Sequence, residues 1–222
     1  GNKIMNEVKY INAHTHNRDD DNIISIVSYR IGVDTIDFSH PYTAGVHPWD
    51  TQCCDVNAIA KAIETTENII AIGEIGLDYA ASKKNKNIQM LYFCEQIKEA
   101  AKRGLPIVIH SVKAWDDMLP TLKEYAPTIK GIMIHGFIGD KNTFHELMKI
   151  GAYISYGFDA SASPKTLETL KEIPLEKLFL ENDASGGDIV ELYQEVANLR
   201  NISVEELKKV IFDNFNKLYD LD

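Results

Sequence analysis

Two histidines near the start of the chain have a spacing suited to metal binding. They are His14 and His16, and they follow the apolar run 8–13. On a β-strand the i, i+2 spacing places both imidazoles on the same face. Two neutral imidazoles aimed at one point can chelate a borderline metal such as zinc. A strand that merely ends in two solvated histidines has the same pattern, so the pair alone leaves both interpretations open.

Further ligand-type side chains stand at the ends of later apolar runs. Any one of them can be a polar residue that caps a strand, but their repetition favours a metal site. The predicted metal ligands are His14, His16, Glu74, His110, His135 and Asp183.

Six protein ligands are more than the three or four that one catalytic zinc takes, so we expect two divalent ions. We assign His14, His16, Glu74 and Asp183 to one ion, and Glu74, His110 and His135 to the other. Paired ions about 3.5–4 Å apart lower the pKa of a shared water. We therefore expect two catalytic carboxylates, Glu74 as the bridge between the ions and Asp183 as the general base.

His47, in Gly45-Val46-His47-Pro48, allows two interpretations. Its imidazole can donate to a substrate oxygen or orient a metal ligand. It can equally be a loop histidine without a role in the site.

Short β-branched runs alternate with longer amphipathic segments along the chain. The predicted strands are 8–13, 23–29, 42–46, 69–75, 106–109, 129–134, 152–156 and 177–180. The predicted helices are 56–65, 87–103, 114–125, 141–150, 164–173, 188–200 and 203–219. Almost wholly apolar strands that alternate with helices indicate a parallel sheet covered by helices. Eight of them predict a (β/α)8 TIM barrel in a single domain, 1–222, with its active site at the carboxyl ends of the strands.

The first quarter of this barrel is predicted to be shortened or distorted. Only 58 residues separate His16 from Glu74, and three strand–helix units must fit there. The segment 18–21 is too short for a crossover helix, which takes a dozen or more residues. The geometry of 17–42 stays open at this point.

Composition limits the function classes. The 222-residue chain is 45% hydrophobic and has a formal net charge of −10, which disfavours sequence-independent binding to nucleic acid. A phosphate-containing substrate remains compatible, because bound divalent cations reverse the field locally. No apolar run reaches the roughly 18–20 residues of a membrane span, and 2–7 lack the apolar middle of a secretory signal. Three cysteines give no disulfide framework, so we expect a cytoplasmic protein, with a monomer as the default.

Several motifs together carry a resemblance to a known family. They are Ala13-His14-Thr15-His16, Gly45-Val46-His47-Pro48, Ile72-Gly73-Glu74-Ile75-Gly76-Leu77-Asp78, Ile109-His110-Ser111 and Ile134-His135-Gly136-Phe137. The chain resembles the TatD-like metal-dependent hydrolases, within the amidohydrolase-like barrels. The resemblance implies a TIM barrel and a two-metal phosphoesterase, often a DNase with 3′-exonuclease activity. It also implies the same six metal ligands.

The chain departs from this family where the substrate should bind. The family has an arginine after Ile-His-Ser; here Val112 stands in its place and Lys113 follows. An arginine fork grips a phosphate in two places, whereas lysine offers a point charge. The long loop that the family carries after the residue matching Asp183 is replaced by Gly186-Gly187. We therefore expect a more open, less basic groove, with His47 and Lys113 as candidate substrate contacts.

Three hypotheses follow. The first is a hydrolase of DNA ends or oligonucleotides, the second a hydrolase of a small phosphate ester, amide or lactone, and the third a metal-binding protein without turnover. Mixed histidine and carboxylate ligands suit zinc, manganese, nickel or iron, and magnesium less well.

Overall fold

Eight parallel strands follow one another around a barrel in chain order. The structure is a computed structural model that describes residues 7–64, 68–80 and 85–221. The strands are β1 Tyr10–Thr15, β2 Ile23–Arg30, β3 Tyr42–Gly45, β4 Ile69–Asp78, β5 Ile107–Val112, β6 Ile132–Ile134, β7 Tyr153–Tyr156 and β8 Leu178–Leu180. The barrel approaches closure where the amide of Asp183 donates to the carbonyl of His14 at 3.0 Å. The predicted fold class is confirmed.

Within the described ranges, seven α-helices lie close to where they were predicted. They are α1 Ala58–Glu64, α2 Lys86–Arg103, α3 Trp115–Tyr125, α4 Lys141–Lys149, α5 Pro164–Glu172, α6 Ile189–Arg200 and α7 Val204–Tyr219. Side chains cap the amino ends of α2, α4, α6 and α7, as where the Ser203 hydroxyl accepts from the amide of Glu206. No helix within the described ranges is long and apolar enough to cross a membrane.

The first quarter of the barrel differs from the rest. Residues 16–22 join β1 to β2 and residues 31–41 join β2 to β3, and neither of these described connections contains a helix. Ile23 and Ile24 at the start of β2 are accordingly only half-buried, whereas β3 is buried throughout. The barrel is therefore shortened as predicted, and its first two crossovers are irregular loops.

Strands β4 and β5 extend furthest beyond their predicted carboxyl ends, to Asp78 and Val112. The strand β4 continues past Ile75 to Asp78 because Gly76, with φ of 146°, lets the chain pass against the carbonyl of His110. The amide of Asp78 is then satisfied by the buried Gln89 side chain at 2.8 Å. The strand β5 likewise runs on to Val112, so His110 lies within it.

Two register shifts lie at residues of the predicted site. The β1–β2 pairing shifts between Asn12 and Thr15, which brackets His14. The β4–β5 pairing shifts between Gly73 and Ile75, which brackets Glu74. Irregularities of this kind re-aim a side chain locally and are common beside active sites.

Candidate metal centre

The six predicted metal ligands meet at the carboxyl end of the barrel. His14, Glu74 and His110 lie within strands, and His16, His135 and Asp183 follow the ends of β1, β6 and β8. Strand direction explains this, because all eight strands run parallel and end at the same face.

Glu74 is the centre of the cluster. Its side chain is only 5% exposed, and Oε1 lies 3.2 Å from Nε2 of His14. Its Oε2 lies 2.7 Å from Nδ1 of His110, 2.8 Å from Nε2 of His47 and 3.1 Å from Nε2 of His135. One buried carboxylate therefore contacts four imidazoles through both of its oxygens.

Asp183 forms the open side of the same cluster. Its Oδ1 lies 3.1 Å from Nε2 of His16 and 3.4 Å from Nε2 of His14, and 45% of its side chain is exposed. Its backbone has a φ of 50° and is fixed by the hydrogen bond that its amide donates to the carbonyl of His14. His14 thus lies between the two carboxylates.

Two further carboxylates hold the rings of the central histidines. Asp78 Oδ2 lies 2.9 Å from Nε2 of His110, and Glu181 Oε1 lies 3.0 Å from Nδ1 of His135. In a neutral ring each contact would place the proton on the nitrogen that faces Asp78 or Glu181, and the other nitrogen would offer its lone pair to a cation bound beside Glu74. Neither Asp78 nor Glu181 is among the site residues predicted from the sequence. Asp78 lies four residues after Glu74 on the long strand β4, and this i, i+4 spacing was the sequence signal that could have placed Asp78 in the site.

His47 has the opposite arrangement. Its Nδ1 accepts the backbone N–H of Trp49 at 3.0 Å, so the proton of the neutral ring lies on Nε2. Burial lowers the pKa of His47, although the contact with Glu74 acts in the opposite direction. The lowered pKa favours the neutral form. In this tautomer His47 offers an N–H donor to the centre and no lone pair.

Charge distribution in the cluster favours histidinium and carboxylate. Burial alone would raise the pKa of Glu74, but the charge of His135 and contacts with three imidazoles hold that pKa well below its usual range. Burial and the charge of His135 would lower the pKa of His14, yet its contacts with Asp183 and Glu74 raise it to about 9. Contacts with His14 and His16 likewise lower the pKa of Asp183 against the effect of burial. Such a cluster exchanges protons for a cation readily, since metal ligation releases the same protons.

The donor set fits divalent metal. Nε2 of His14 is buried and makes no hydrogen bond, although it lies between two carboxylates. A buried polar nitrogen without a hydrogen bond is costly, and a metal ion would satisfy its lone pair. The ligand atoms of His14, Glu74 and His135 lie within 4.8 Å of one another, as do those of His14, His16 and Asp183.

Two cavities open beside Asp183. The first, of about 450 Å³, is lined by the end of β5 and by residues that follow β6 to β8, among them Val112, Phe137 and Phe158. The second, of about 430 Å³, is lined by residues 15–23 and 182–188, among them Arg18. Lys113 is exposed and is not among the described residues that line either cavity.

Comparison with known proteins shows the family of the chain. The sequence profile of the TatD related DNases matches residues 33–220. The chain is 30% identical over 197 residues to the *Bacillus subtilis* protein YabD, named an uncharacterized metal-dependent hydrolase, with 80% of this chain and 76% of YabD covered.

A second relative is named a 3′-5′ ssDNA/RNA exonuclease, TatD of *Klebsiella pneumoniae*. It is 34% identical over 148 residues, which cover 64% of this chain and 56% of that protein. The fold agrees with the crystal structure of YjjV, a TatD homolog from *Escherichia coli*, at a TM-score of 0.84 and 21% identity, with 97% of this chain and 99% of YjjV covered. The chain belongs to the TatD related DNase family of metal-dependent hydrolases.

Proposed function

We propose that the protein is a divalent-metal-dependent phosphodiesterase that removes nucleotides from the ends of single-stranded DNA or short oligonucleotides. The observation that carries this proposal is the position of Glu74, whose two oxygens contact imidazoles on both sides. A carboxylate in that position can bridge two cations, as two-metal phosphoesterase chemistry requires.

Two ligand groups share Glu74 in this proposal. His14, His16 and Asp183 would complete the site of one ion, and His110 and His135 that of the other. Bound there, two divalent ions would acidify a water and neutralise charge on the phosphate oxygens.

The roles of the remaining groups follow from their hydrogen bonds and exposure. Asp183 is half-exposed and borders both cavities, so its carboxylate can take a proton from an entering water. His47 presents its Nε2–H to the centre and can donate it to a non-bridging phosphate oxygen. Neither role depends on Lys113.

The size and lining of the first cavity favour a short substrate. About 450 Å³ is at the lower end of the range for small-ligand pockets and suits one nucleotide unit. The described residues that line it include Asp159 and Glu181 but no lysine or arginine. A long strand would find few cationic partners there, so an end or an oligonucleotide fits better than the interior of a strand.

Relatives support the nucleic-acid substrate. In addition to the *Klebsiella* exonuclease, a protein of *Schizosaccharomyces pombe* named deoxyribonuclease Tat-D is 32% identical over 157 residues. This chain covers 56% and 50% of those two proteins, so their substrate is carried over as a proposal.

The same lining favours a second candidate, a hydrolase of a small phosphate ester. A chain with a net charge of −10, and without lysine or arginine among the described residues that line its first cavity, suits a substrate whose charge the metals alone can neutralise. An amide or lactone is a further possibility for the same centre.

The test is release of nucleotides from a 3′-labelled single-stranded DNA with Mg²⁺, Mn²⁺ or Zn²⁺, using wild type and Asp183→Ala. Metal-dependent release that the variant lacks would support the nuclease proposal. Stoichiometric metal without release from DNA, but with turnover of p-nitrophenyl phosphate, would favour the small-ester candidate. Bound metal without any turnover would indicate a binding protein and contradict both.

A further inference from the structure

A large aromatic side chain lies exposed at the rim of the centre. Trp49 follows β3, and 52% of its surface is accessible. Its ring centroid lies 4.5 Å from that of His47 and 6.0 Å from that of His110. Single exposed hydrophobic residues are common on proteins, so exposure alone does not indicate a ligand.

The indole is, however, held in a fixed position. Its Nε1 donates to Oδ2 of Asp78 at 2.8 Å, and its backbone N–H donates to His47. The guanidinium of Arg30 lies 5.8 Å from the ring centre and is itself paired with Asp50 through Nε at 2.7 Å. An exposed ring that polar contacts hold in place is preorganised, so a ligand that stacks on it loses little entropy to ordering.

The first cavity and Trp49 lie on different sides of the centre. The end of β5 and residues after β6 to β8 line the cavity, whereas Trp49 follows β3. A phosphodiester held at the centre would then extend one substituent toward the cavity and the other toward the indole.

We propose that Trp49 is a stacking platform for the base of the nucleotide next to the scissile phosphate, while the terminal nucleotide occupies the first cavity. This proposal rests on the proposed phosphodiesterase function and narrows its substrate to chains of at least two nucleotides. Stacking on an aromatic side chain is tolerant of base identity and strengthens binding about tenfold to a hundredfold. It needs no cation, which suits a cavity lined without lysine or arginine among its described residues.

The first experiment compares two short oligonucleotides that differ only by an abasic residue at the nucleotide preceding the 3′ end. Wild type should prefer the intact oligonucleotide by about tenfold or more in kcat/KM, mainly through KM. Trp49→Leu should abolish this preference, and Trp49→Phe, which keeps an aromatic face, should retain most of it.

Both variants lose the indole N–H that donates to Asp78, the carboxylate that contacts His110. They differ in whether an aromatic face remains, so they separate stacking from the orientation of His110. If Leu and Phe weaken turnover of intact and abasic substrates equally, Trp49 acts only through Asp78 and the proposal is overturned. Equal turnover of both substrates by wild type overturns it as well.

The second experiment has a readout other than turnover and uses the two tryptophans of the chain, Trp49 and Trp115. In an Asp183→Asn background with Zn²⁺, Trp115→Phe leaves Trp49 as the only indole, and Trp49→Phe leaves Trp115 as the matched control. The dinucleotide d(ApA) should quench Trp49 saturably, and the analogue with an abasic 5′ residue should quench it at least tenfold more weakly. Absence of this difference overturns the stacking proposal.

Failure of the proposed function has a different signature. Wild type would then release nucleotides from neither oligonucleotide, while the quenching of Trp49 by d(ApA) would still decide whether a base binds there.

Discussion

The two carboxylates at the heart of the site lie in opposite surroundings. Glu74 is enclosed within β4 with 5% of its side chain exposed, and four imidazoles contact it. Asp183 follows the short β8, has 45% of its side chain exposed, and two imidazoles contact it. In the proposed function the enclosed side would hold the cations, and the open side would meet water and substrate.

This difference also affects rigidity. Asp78 and Glu181 fix the rings of His110 and His135 on the Glu74 side, and both carboxylates are themselves buried. On the other side, His16 is partly exposed, and Asp183 is the carboxylate in contact with it. Four predictions test whether the enclosed side binds the metal and the open side acts on water and substrate.

The largest effect is expected from Glu74→Gln. The amide keeps the shape but removes the charge that both proposed ions share, so metal content should fall and kcat/KM should drop roughly 10³-fold or more. Metal analysis of the purified variant and steady-state kinetics provide the measurement. Glu168→Gln, at an exposed position on α5, is a matched control and should behave as wild type. Full metal content in Glu74→Gln would contradict the bridging role.

Asp183→Asn should lower kcat by about 10²- to 10³-fold, within the range for loss of a general base. Because only one side of the centre is affected, the variant should keep more metal than Glu74→Gln. The two variants are compared by metal content at equal protein concentration. Equal metal loss in both would show that Asp183 acts as a structural ligand and would remove the distinction between the sides.

Asp78→Asn and Glu181→Gln should each weaken metal affinity or activity about 10- to 100-fold, the usual range for groups that orient metal-bound histidines. Competition with a chelator gives the affinities. Asp117→Asn is a control for Asp78→Asn, since Asp117 lies on α3 and accepts from the Tyr79 hydroxyl outside the centre. An affinity unchanged by both site variants would mean that packing alone positions the histidines.

The same contrast explains how far the sequence could predict the site. Each predicted ligand lies near the end of an apolar run that is recognisable as a strand. Parallel strands bring these ends together at one face of the barrel, so the cluster could be predicted. The shortened first quarter was also predictable, because the distance from His16 to Glu74 is too small for three complete units. The ligand roles themselves stay a prediction.

The supporting contacts could not be predicted in this way. Asp78 meets His110 across 32 residues and Glu181 meets His135 across 46, and both pairings depend on strand register. The register shifts at His14 and Glu74 have no sequence signature, because they depend on how each strand pairs with its neighbour in the sheet. The N–H that Trp49 donates to His47 likewise depends on the backbone turn after β3.

The smallest effect concerns the pH dependence of the metal-free protein. The pKa of His14 is raised from 6.5 to about 9, because its contacts with Asp183 and Glu74 outweigh burial and the charge of His135. The folded protein therefore binds this proton more tightly than the unfolded chain. Its contribution to stability is complete below about pH 6.5 and is lost as the pH rises through about 9.

After treatment with a chelator, the Tm should therefore fall by several degrees, about 3–8 °C, between pH 6.5 and 9.5. In the metal-loaded protein the cation occupies the place of the protons, so the fall should be much smaller and metal affinity should rise over the same pH range. Thermal unfolding at matched ionic strength, with and without metal, measures both. A metal-free protein whose Tm is constant or rises with pH would show that His14 is neutral between the two carboxylates. The enclosed side of the centre would then be organised by hydrogen bonds and packing, without the histidinium charge.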